Sequence, residues 1–262
     1  MKTSVIVTTY NRSDALVKVL NGLNCQTRPP WEVIVADDGS SDDTAQKTNG
    51  FKTDALYTLK YVWHQDKGFR AAKIRNKAVR ESSGDYIIFL DGDCVPDKHF
   101  ISDHIELSSK GFFFQGKRIL IGEKNCTRFS HRDINTRLKK FMLLVSQWPG
   151  NFHHLIRIPF FPPRVSEKLE GVRSCNMGIF RNDLYAVNGF NEIFAGWGRE
   201  DSELVVRLYN YGLKRKDHPF RAVCYHLWHR ENDRSNLDKN DTILKQAMES
   251  KEFFCEKGLM QH

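Results

Sequence analysis

Residues 85–96 read DYIIFLDGDCVP, and this stretch is the starting point for predicting the fold of the chain. A run of apolar and aromatic residues leads directly into Asp91, Gly92 and Asp93. A continuous apolar run that ends in a turn-forming Asp-Gly pair predicts a strand buried on both faces. Two acids at the exit of such a strand are either a solvated turn or a site for a divalent cation and a phosphate.

Two earlier stretches repeat this pattern. SVIVTTY and WEVIVADDGS each run from a β-branched segment into polar residues, and apolar residues at helical spacing follow. Such alternation predicts an α/β fold with a parallel sheet, whose ligands bind at the carboxyl ends of the strands. The polar residues expected at those ends are Thr8, Tyr10, Asp37, Asp38, Asp91 and Asp93. Ser13 is expected to cap the first helix.

The composition limits the classes of function. The chain has 262 residues, with 40 Lys or Arg against 32 Asp or Glu, and its formal net charge is +8. That surplus favours an acidic partner such as a phosphate group, nucleic acid or an anionic membrane surface. Six cysteines without a CxxC pair indicate reduced thiols, so we expect a reducing compartment. The first residues predict a strand rather than a signal peptide, and no apolar run is long enough to span a membrane.

The middle and C-terminal parts of the chain have weaker patterns. FFFQG and RILIG predict strands, NTRLKKFMLLVSQW a basic amphipathic helix, and HHLIRIPFFPPRV an aromatic loop. Further on, we expect a helix over about residues 201–211, a strand at residues 221–226 and a charged helix after residue 232.

Two motifs carry charged side chains near helix starts. HQDKGFRAAKIRN presents Arg70 and Arg75, whose guanidinium groups can bind a diphosphate together with backbone N–H groups. GWGREDSE presents Glu200 and Asp201 at a helix N-terminus, which favours ionised carboxylates, and such a carboxylate can act as a general base. A solvated basic helix face and an ordinary capped helix are the alternatives.

CYHLWHR offers a pair of imidazoles, His226 and His229, at the end of a strand. Either imidazole can complete the ligand shell of a metal ion beside the Asp-Gly-Asp turn. Two histidines three residues apart can equally be a surface coincidence. Trp228 between them is as readily explained by packing.

Taken in order, these motifs resemble glycosyltransferase family 2. SVIVTTYN, DDGSSDDT, KGFRAAKIRN, IIFLDGD, NMGIFRNDLYAVNGFNE and GWGREDSE carry the resemblance. Residues 176–229 are also similar to the C-terminal part of β-1,4-galactosyltransferases and of bacterial chondroitin polymerase modules. The match covers roughly residues 4–95 and 174–233, and Arg199 replaces one glycine of the galactosyltransferase-like pattern.

The resemblance implies a GT-A fold and inverting transfer from a UDP-sugar, assisted by Mn²⁺ or Mg²⁺. It implies donor-binding roles for a set of residues near the strand ends: Thr8, Tyr10, Asp37, Asp38, Arg70, Arg75, Asp91 and Gly92. It implies Asp93 as a metal ligand together with His226 or His229. It also implies Asp201 as the catalytic base, with Glu200 and Trp197 binding the acceptor.

We therefore expect one GT-A domain over the whole chain. It divides into a nucleotide-sugar-binding half (1–104), a variable insertion (105–168), an acceptor and catalytic half (169–235) and a helical tail (236–262). The expected acceptor is a hydroxyl of a bacterial surface glycan, free or lipid-linked, such as lipopolysaccharide, O-antigen or capsule. The expected location is the cytoplasm, with the inner leaflet of the membrane as a candidate partner surface and nucleic acid excluded.

Two other functions remain open. A sugar nucleotidyltransferase also uses a parallel sheet and metal-binding acids, but it calls for a glycine-rich basic loop after the first strand, where this chain has TTYNRSD. A non-catalytic module that binds nucleic acid or membranes would rest on the net charge and on the basic segment LKKFMLLVSQW.

Overall fold

The computed structural model describes residues 1–41, 43–133, 151–230 and 233–260. The strands are β1 (Thr3–Thr9), β2 (Glu32–Asp37), β3 (Thr58–Trp63), β4 (Tyr86–Asp91), β5 (Cys94–Pro96), β6 (Phe112–Gln115), β7 (Lys117–Ile121), β8 (Arg164–Ser166), β9 (Asn176–Phe180), β10 (Lys214–Asp217) and β11 (Val223–Leu227). The helices are α1 (Ser13–Asn24), α2 (Thr44–Phe51), α3 (Ala71–Arg80), α4 (Phe100–Leu107), α5 (Glu123–Cys126), α6 (Arg181–Ala186), α7 (Glu200–Asn210) and α8 (Leu237–Glu249).

The N-terminal strands form the parallel part of the central sheet. β1 pairs in parallel with β2 and β4, and β2 pairs in parallel with β3. Successive side chains of a strand point to opposite faces, so a run of apolar residues needs cover on both sides. Leu16 and Leu20 of α1 share one core with Val7, and Ile74 of α3 shares the other with Ile6. The predicted α/β arrangement is therefore present.

The sheet becomes mixed beyond β4, and its full order is β3-β2-β1-β4-β9-β6-β10-β8. β9 lies antiparallel between β4 and β6, while β10 runs parallel to β6 and antiparallel to β8. A smaller sheet has the order β5-β11-β7. A strand from the C-terminal half thus sits in the middle of the sheet that the N-terminal half begins.

The strand registers bring the polar strand ends together. Thr8 of β1 lies opposite Asp91 of β4, and Thr9 lies opposite Asp37 of β2. In the smaller sheet, His226 of β11 lies opposite Cys94, the residue after Asp93. The carboxyl ends of these parallel strands therefore meet the smaller sheet at one edge.

Several local expectations need correction or lie outside the described residues. Ser13 is the first residue of α1, and Arg12 occupies the cap position without a side-chain cap hydrogen bond. The helix expected from about residue 201 is α7, which begins one residue earlier, at Glu200. FFFQG and RILIG form β6 and β7, as predicted. The basic helix expected at residues 135–148 falls outside the described ranges.

Two observations concern the environment of the chain. All six cysteines are free thiols, in agreement with the absence of a disulfide framework in the sequence. Of the helices that the structure describes, none has the length and apolar character needed to cross a lipid bilayer.

Candidate active site

Asp93, His226 and His229 form a cluster of groups that can hold a metal ion. Their ligand atoms all lie within 4.8 Å of one another. Asp93 Oδ1 is 3.7 Å from His226 Nε2, and Asp93 Oδ2 is 3.4 Å from His229 Nε2. The β5–β11 pairing and a 2.8 Å hydrogen bond from the Leu227 amide to the Asp93 carbonyl hold the two segments together.

The donor set of this cluster fits a divalent cation. The two separations from Asp93 to the imidazoles are too long for good hydrogen bonds, but they suit ligands that share one ion. Burial, followed by the positive charge of Arg118, lowers the pKa of His226 to about 4. At neutral pH this imidazole is uncharged, so a nitrogen lone pair is available to a metal.

Arg12 also contacts the cluster. Its Nη1 donates to Asp93 Oδ2 at 2.7 Å, and its Nη2 donates to the Trp228 carbonyl at 3.3 Å. Burial raises the pKa of the Asp93 carboxyl, and the charges of Arg12 and His229 oppose that shift. Arg12 was not predicted as a site residue, although its place in the short segment between β1 and α1 was the available signal.

The carboxylates of Asp37 and Asp38, at the end of β2, contact other residues of the chain. Asp37 Oδ1 accepts from the Ser40 amide at 2.8 Å, and its Oδ2 accepts from Tyr61 Oη at 2.6 Å. Asp38 lies 2.6 Å from His64 Nε2 and accepts from the Arg70 amide at 2.8 Å. These bonds order the turn after β2, and His64 is a second residue that sequence reasoning missed.

Tyr10 and Arg70 lie on the same side of the site. Tyr10 is exposed, and its hydroxyl donates to Asp66 at 2.9 Å. The side chain of Arg70 donates to the Gln65 carbonyl. Both side chains therefore contact the turn between β3 and α3, Tyr10 from the segment after β1 and Arg70 from within the turn. Among the described residues, neither forms a hydrogen bond or ion pair with the metal cluster.

Arg75 joins the strand ends to the start of α7. This guanidinium is buried, with 4% of the residue exposed. It donates to Thr8 Oγ1 at 3.2 Å, to Glu200 Oε1 at 2.9 Å and to Asp91 Oδ1 at 3.4 Å. One side chain from the N-terminal half thus contacts two strand ends and the acid beside Asp201.

Gly92 is required by a close approach of two backbones. Its amide donates to the Thr8 carbonyl at 2.7 Å. A Cβ atom at this position would lie 3.0 Å from that carbonyl oxygen and 2.9 Å from the Thr9 Cβ. A larger residue would push β1 and β4 apart at their carboxyl ends, so the glycine sets the spacing of the site.

Asp201 is a half-buried carboxylate in the first turn of α7. It accepts from the Ser202 amide at 2.7 Å and from the Ser174 amide at 3.3 Å. Burial and the neighbouring negative charge of Glu200 raise its pKa to about 6, against the opposing charge of Arg75. A pKa near the working pH suits a group that accepts a proton and later releases it.

The Gly-Trp-Gly turn (residues 196–198) precedes these acids. Gly196 and Gly198 have φ values of +76° and +104°, and Arg199 shares this left-handed region with φ of +76°. Trp197 is half-buried, and the Arg234 guanidinium lies 5.1 Å from the centre of its ring. The turn and Asp201 are joined to the strand ends through Glu200 and Arg75.

Family models match most of the chain. The model described as glycosyl transferase family 2 matches residues 4–169. A second model, described as the N-terminal domain of galactosyltransferase, matches residues 158–230.

Curated relatives are similar over 80% of the chain. The validoxylamine A glucosyltransferase of Streptomyces hygroscopicus subsp. limoneus is 28% identical, and the match covers 48% of that protein. The chondroitin synthase of Escherichia coli is 26% identical, and the match covers 32% of it. The chain therefore spans half or less of the length of these relatives.

Solved structures have the same fold. S. aureus TarS 1-349 in complex with UDP aligns with a TM-score of 0.66 at 17% identity, covering 99% of this chain and 68% of that one. The mannosyltransferase PcManGT from Pyrobaculum calidifontis, in complex with GDP-Man and Mn²⁺, aligns with a TM-score of 0.59 at 18% identity, covering 88% and 58%. The expected GT-A fold is confirmed, and its sheet is mixed, with a parallel N-terminal part.

Proposed function

The chain belongs to glycosyl transferase family 2, and from this premise we propose that it transfers a hexose or N-acetylhexosamine from a UDP-sugar to a hydroxyl group. The acceptor in this proposal is a bacterial surface glycan: lipopolysaccharide, O-antigen or capsule. The observation that carries the proposal is the Asp93–His226–His229 cluster at the strand ends. Family membership favours this reaction over nucleotidyl transfer and over a purely binding role.

The donor binds, in this proposal, along the carboxyl ends of β1, β2 and β4. Tyr10 and Thr8 line the nucleoside, and the Asp38 turn, ordered by Asp37, contacts the base. Arg70 and Arg75 provide positive charge near the diphosphate, where guanidinium groups bind phosphate oxygens well. Three contacts around the turns after β1 and β2 support these roles. Tyr10 donates to Asp66, the Arg70 amide donates to Asp38, and Arg75 donates to Thr8.

Asp91 and Gly92 complete the donor side. Asp91 faces the ribose or a bound water, and its contact with Arg75 keeps the carboxylate oriented. Gly92 keeps the two strand ends close enough to form one pocket floor. Burial raises the pKa of Asp91, and the charge of Arg75 opposes that shift.

Asp93, His226 and His229 are the proposed ligands of Mn²⁺ or Mg²⁺. A bound cation of this kind supplies positive charge that stabilises the diphosphate leaving group. The two imidazoles favour Mn²⁺, because Mg²⁺ prefers an all-oxygen shell. The solved mannosyltransferase with Mn²⁺ has the same fold and supports the presence of a divalent ion.

Asp201 is the proposed general base, and it accepts the proton of the acceptor hydroxyl as that oxygen attacks the anomeric carbon. Attack from the face opposite the diphosphate inverts the configuration. Glu200 and Trp197 bind the acceptor, since they lie in the turn and helix start beside Asp201. A position at the cytoplasmic face of the inner membrane agrees with the net charge of +8.

The test is UDP release from a panel of UDP-sugars in the presence of Mn²⁺, Mg²⁺ or EDTA, without acceptor. We expect metal-dependent hydrolysis of one donor. In this hydrolysis water takes the place of the acceptor hydroxyl, and Asp201 accepts its proton. Asp93→Asn should lower turnover by about 10²–10³, and Asp201→Asn by about 10²–10⁴ with the Kd for UDP unchanged.

Asp85→Asn is the matched control. Asp85 is an exposed acid just before β4, at the end of the strand opposite Asp93, and it accepts a hydrogen bond from the Lys2 amide. This variant should keep wild-type turnover. No release from any donor, together with no stabilisation of the fold by UDP, would refute the proposed function.

A further inference from the structure

Helix α8 is in direct contact with the turn that leads to the proposed base. Asn240 Nδ2 donates to the Gly198 carbonyl at 3.0 Å and to the Ala195 carbonyl at 3.3 Å. Ala195 precedes the Gly-Trp-Gly turn and Gly198 is its last residue, so one side chain binds both ends of the turn. Carbonyl oxygens only accept hydrogen bonds, and the asparagine amide supplies the two donors that they need.

Asn240 is fully buried in this contact. Its Oδ1 has no hydrogen-bond partner in the part of the chain that the structure describes. An unpaired buried acceptor costs free energy, whereas an apolar residue of similar shape would avoid that cost. The asparagine is therefore better explained by the turn that it holds than by the stability of α8.

A second contact links the same two segments. Arg199, which directly follows the turn, forms an ion pair with Asp241 of α8. Arg199 has a left-handed φ of +76°, a conformation that disfavours residues with a Cβ atom. Both side chains are more than one third exposed, so the pair adds little to stability. The contact joins α8 to the residue that directly precedes α7.

The opposite side of the turn is fixed to the donor half. The Gly196 amide donates to the Phe69 carbonyl at 3.0 Å. A Cβ atom on Gly196 would lie 2.6 Å from Asn236 Nδ2, which leaves no room for another residue. The turn is therefore held between the segment before α3 and the segment before α8.

The start of α7 depends on this arrangement. The Glu203 amide donates to the Arg199 carbonyl at 2.9 Å, which forms the first turn of the helix. That turn carries Asp201. The family models match residues 4–169 and 158–230, so α8 lies outside both matches. An element of this chain beyond the matched regions thus supports a turn inside them.

We propose that α8 positions the acceptor side of the site, with Asn240 and Asp241 as positioning residues that hold Trp197 and Asp201 in place. The inference rests on the proposed function for its catalytic consequence. The claim that α8 holds the Gly-Trp-Gly turn in place does not depend on catalysis, and it can be tested without measuring activity.

The first experiment measures amide hydrogen exchange in the full chain. In Asn240→Leu, the Gly196 and Glu203 amides should exchange about tenfold faster, because the turn loses two hydrogen bonds. The Tyr211 amide, bonded to the Arg207 carbonyl at the far end of α7, should be unchanged. Equal acceleration of all three amides would mean a global loss of stability and would overturn the proposal, as would no acceleration.

The second variant tests the surface pair without disturbing the core. Asp241→Asn should accelerate exchange of the Glu203 amide about threefold. Glu249→Gln, which removes an exposed ion pair with Lys245 on the same helix, should have no effect on it. Arg199→Asp combined with Asp241→Arg should restore slow exchange. Failure of that rescue would remove the ion pair from the proposal.

Activity then separates the two hypotheses. In Asn240→Leu, kcat for UDP release should fall about tenfold while the Kd for UDP stays unchanged, because Asp201, which would accept the proton of the attacking water, is displaced and the donor side is not. Local acceleration of exchange in a chain that releases no UDP would refute the proposed function and leave the positioning contact standing. Unchanged kcat with locally faster exchange would refute the catalytic consequence.

Discussion

Arg75 shows how a single residue connects the two sides of the site. Its guanidinium contacts Thr8, Asp91 and Glu200 while remaining buried. A buried charge is tolerated when its hydrogen bonds are made, and loss of one partner leaves the other charge uncompensated. The same cation lies near Asp201 and opposes the increase in its pKa. The pKa of the proposed base therefore depends on the partners of Arg75.

The pH profile of turnover tests this dependence. Because Asp201 must be ionised to accept a proton, kcat for UDP release should rise with pH and level off above an apparent pKa of about 6. At pH 5 only about a tenth of the molecules would carry the ionised form. Glu200→Gln removes a negative neighbour that raises the pKa, so the profile should move to lower pH.

Asp85→Asn serves again as the control and should leave the profile where it is, since Asp85 lies at the other end of β4. A profile that levels off near pH 4 would show that the group that limits turnover does not have a raised pKa. If the Glu200→Gln variant has wild-type thermal stability and its pH profile stays at the wild-type position, the charge of Glu200 does not affect the pKa of the group that limits turnover.

At the scale of single elements, α4 joins two segments that are far apart in the sequence, the one before β8 and the one before β11. Asp103 of α4 accepts from Arg157 at 2.5 and 2.7 Å, from Arg221 Nε at 2.9 Å and from the Ala222 amide at 2.9 Å. Burial raises the pKa of Asp103, but the bonds from Arg157 and the Ala222 amide outweigh it and hold the pKa below its usual range. One carboxylate thus fixes the segment before β8 and the start of β11.

Asp103→Asn should lower the free energy of unfolding by about 3 kcal/mol at pH 7, because two arginines lose a buried charged partner. Urea denaturation measures the change. The lowered pKa means that the stabilisation is complete above the unfolded value of about 3.9 and is lost as the pH falls through the folded value. The difference between variant and wild type should therefore shrink in acid.

Glu106→Gln is the matched control, because Glu106 also contacts Arg221 but 58% of its side chain is exposed. Its removal should cost no more than about 1 kcal/mol. Equal losses in the two variants would mean that the buried network does not hold these segments.

The helices and strands that could be predicted from the sequence are those with a local pattern of apolar residues. The β-branched runs of β1, β2 and β4 and the acids that follow them could be located, because burial on two faces imposes a continuous apolar stretch. The antiparallel insertion of β9 could not, since strand pairing depends on contacts distant in sequence. The cap of α1 was wrongly assigned to Ser13 for a similar reason: Arg12 occupies that position, with its side chain bonded to Asp93.

In the candidate site, too, residues in sequence motifs could be predicted, and residues whose partners are distant in sequence could not. Asp93 was predicted as a metal ligand together with His226 or His229, and the structure brings the ligand atoms of all three within 4.8 Å of one another. Arg12 and His64 were missed because each contacts a carboxylate that lies more than twenty positions away in the sequence, Asp93 and Asp38 respectively. A cation or an imidazole in a loop has no periodic pattern, so only the folded chain reveals its partner.

At the scale of the whole molecule, the two proposed halves share one sheet. β9 supplies the neighbour on one side of β4, and the order β4-β9-β6 interleaves strands from three of the proposed segments. Arg75 adds a buried ion pair across the same boundary. Separation of residues 1–104 from the rest would expose an unpaired edge of β4 and the apolar face that β9 and its neighbours cover.

The chain should therefore unfold as one cooperative unit, despite the division into segments that the sequence suggests. Far-ultraviolet circular dichroism and tryptophan fluorescence should give coincident urea transitions, because no part of the sheet retains its core when β9 leaves. A fragment of residues 1–104 should aggregate or remain unfolded, since edge strands without partners associate with one another. Transitions that separate, or a fragment that folds and binds UDP, would show that the donor half is an independent domain and that β9 only covers it.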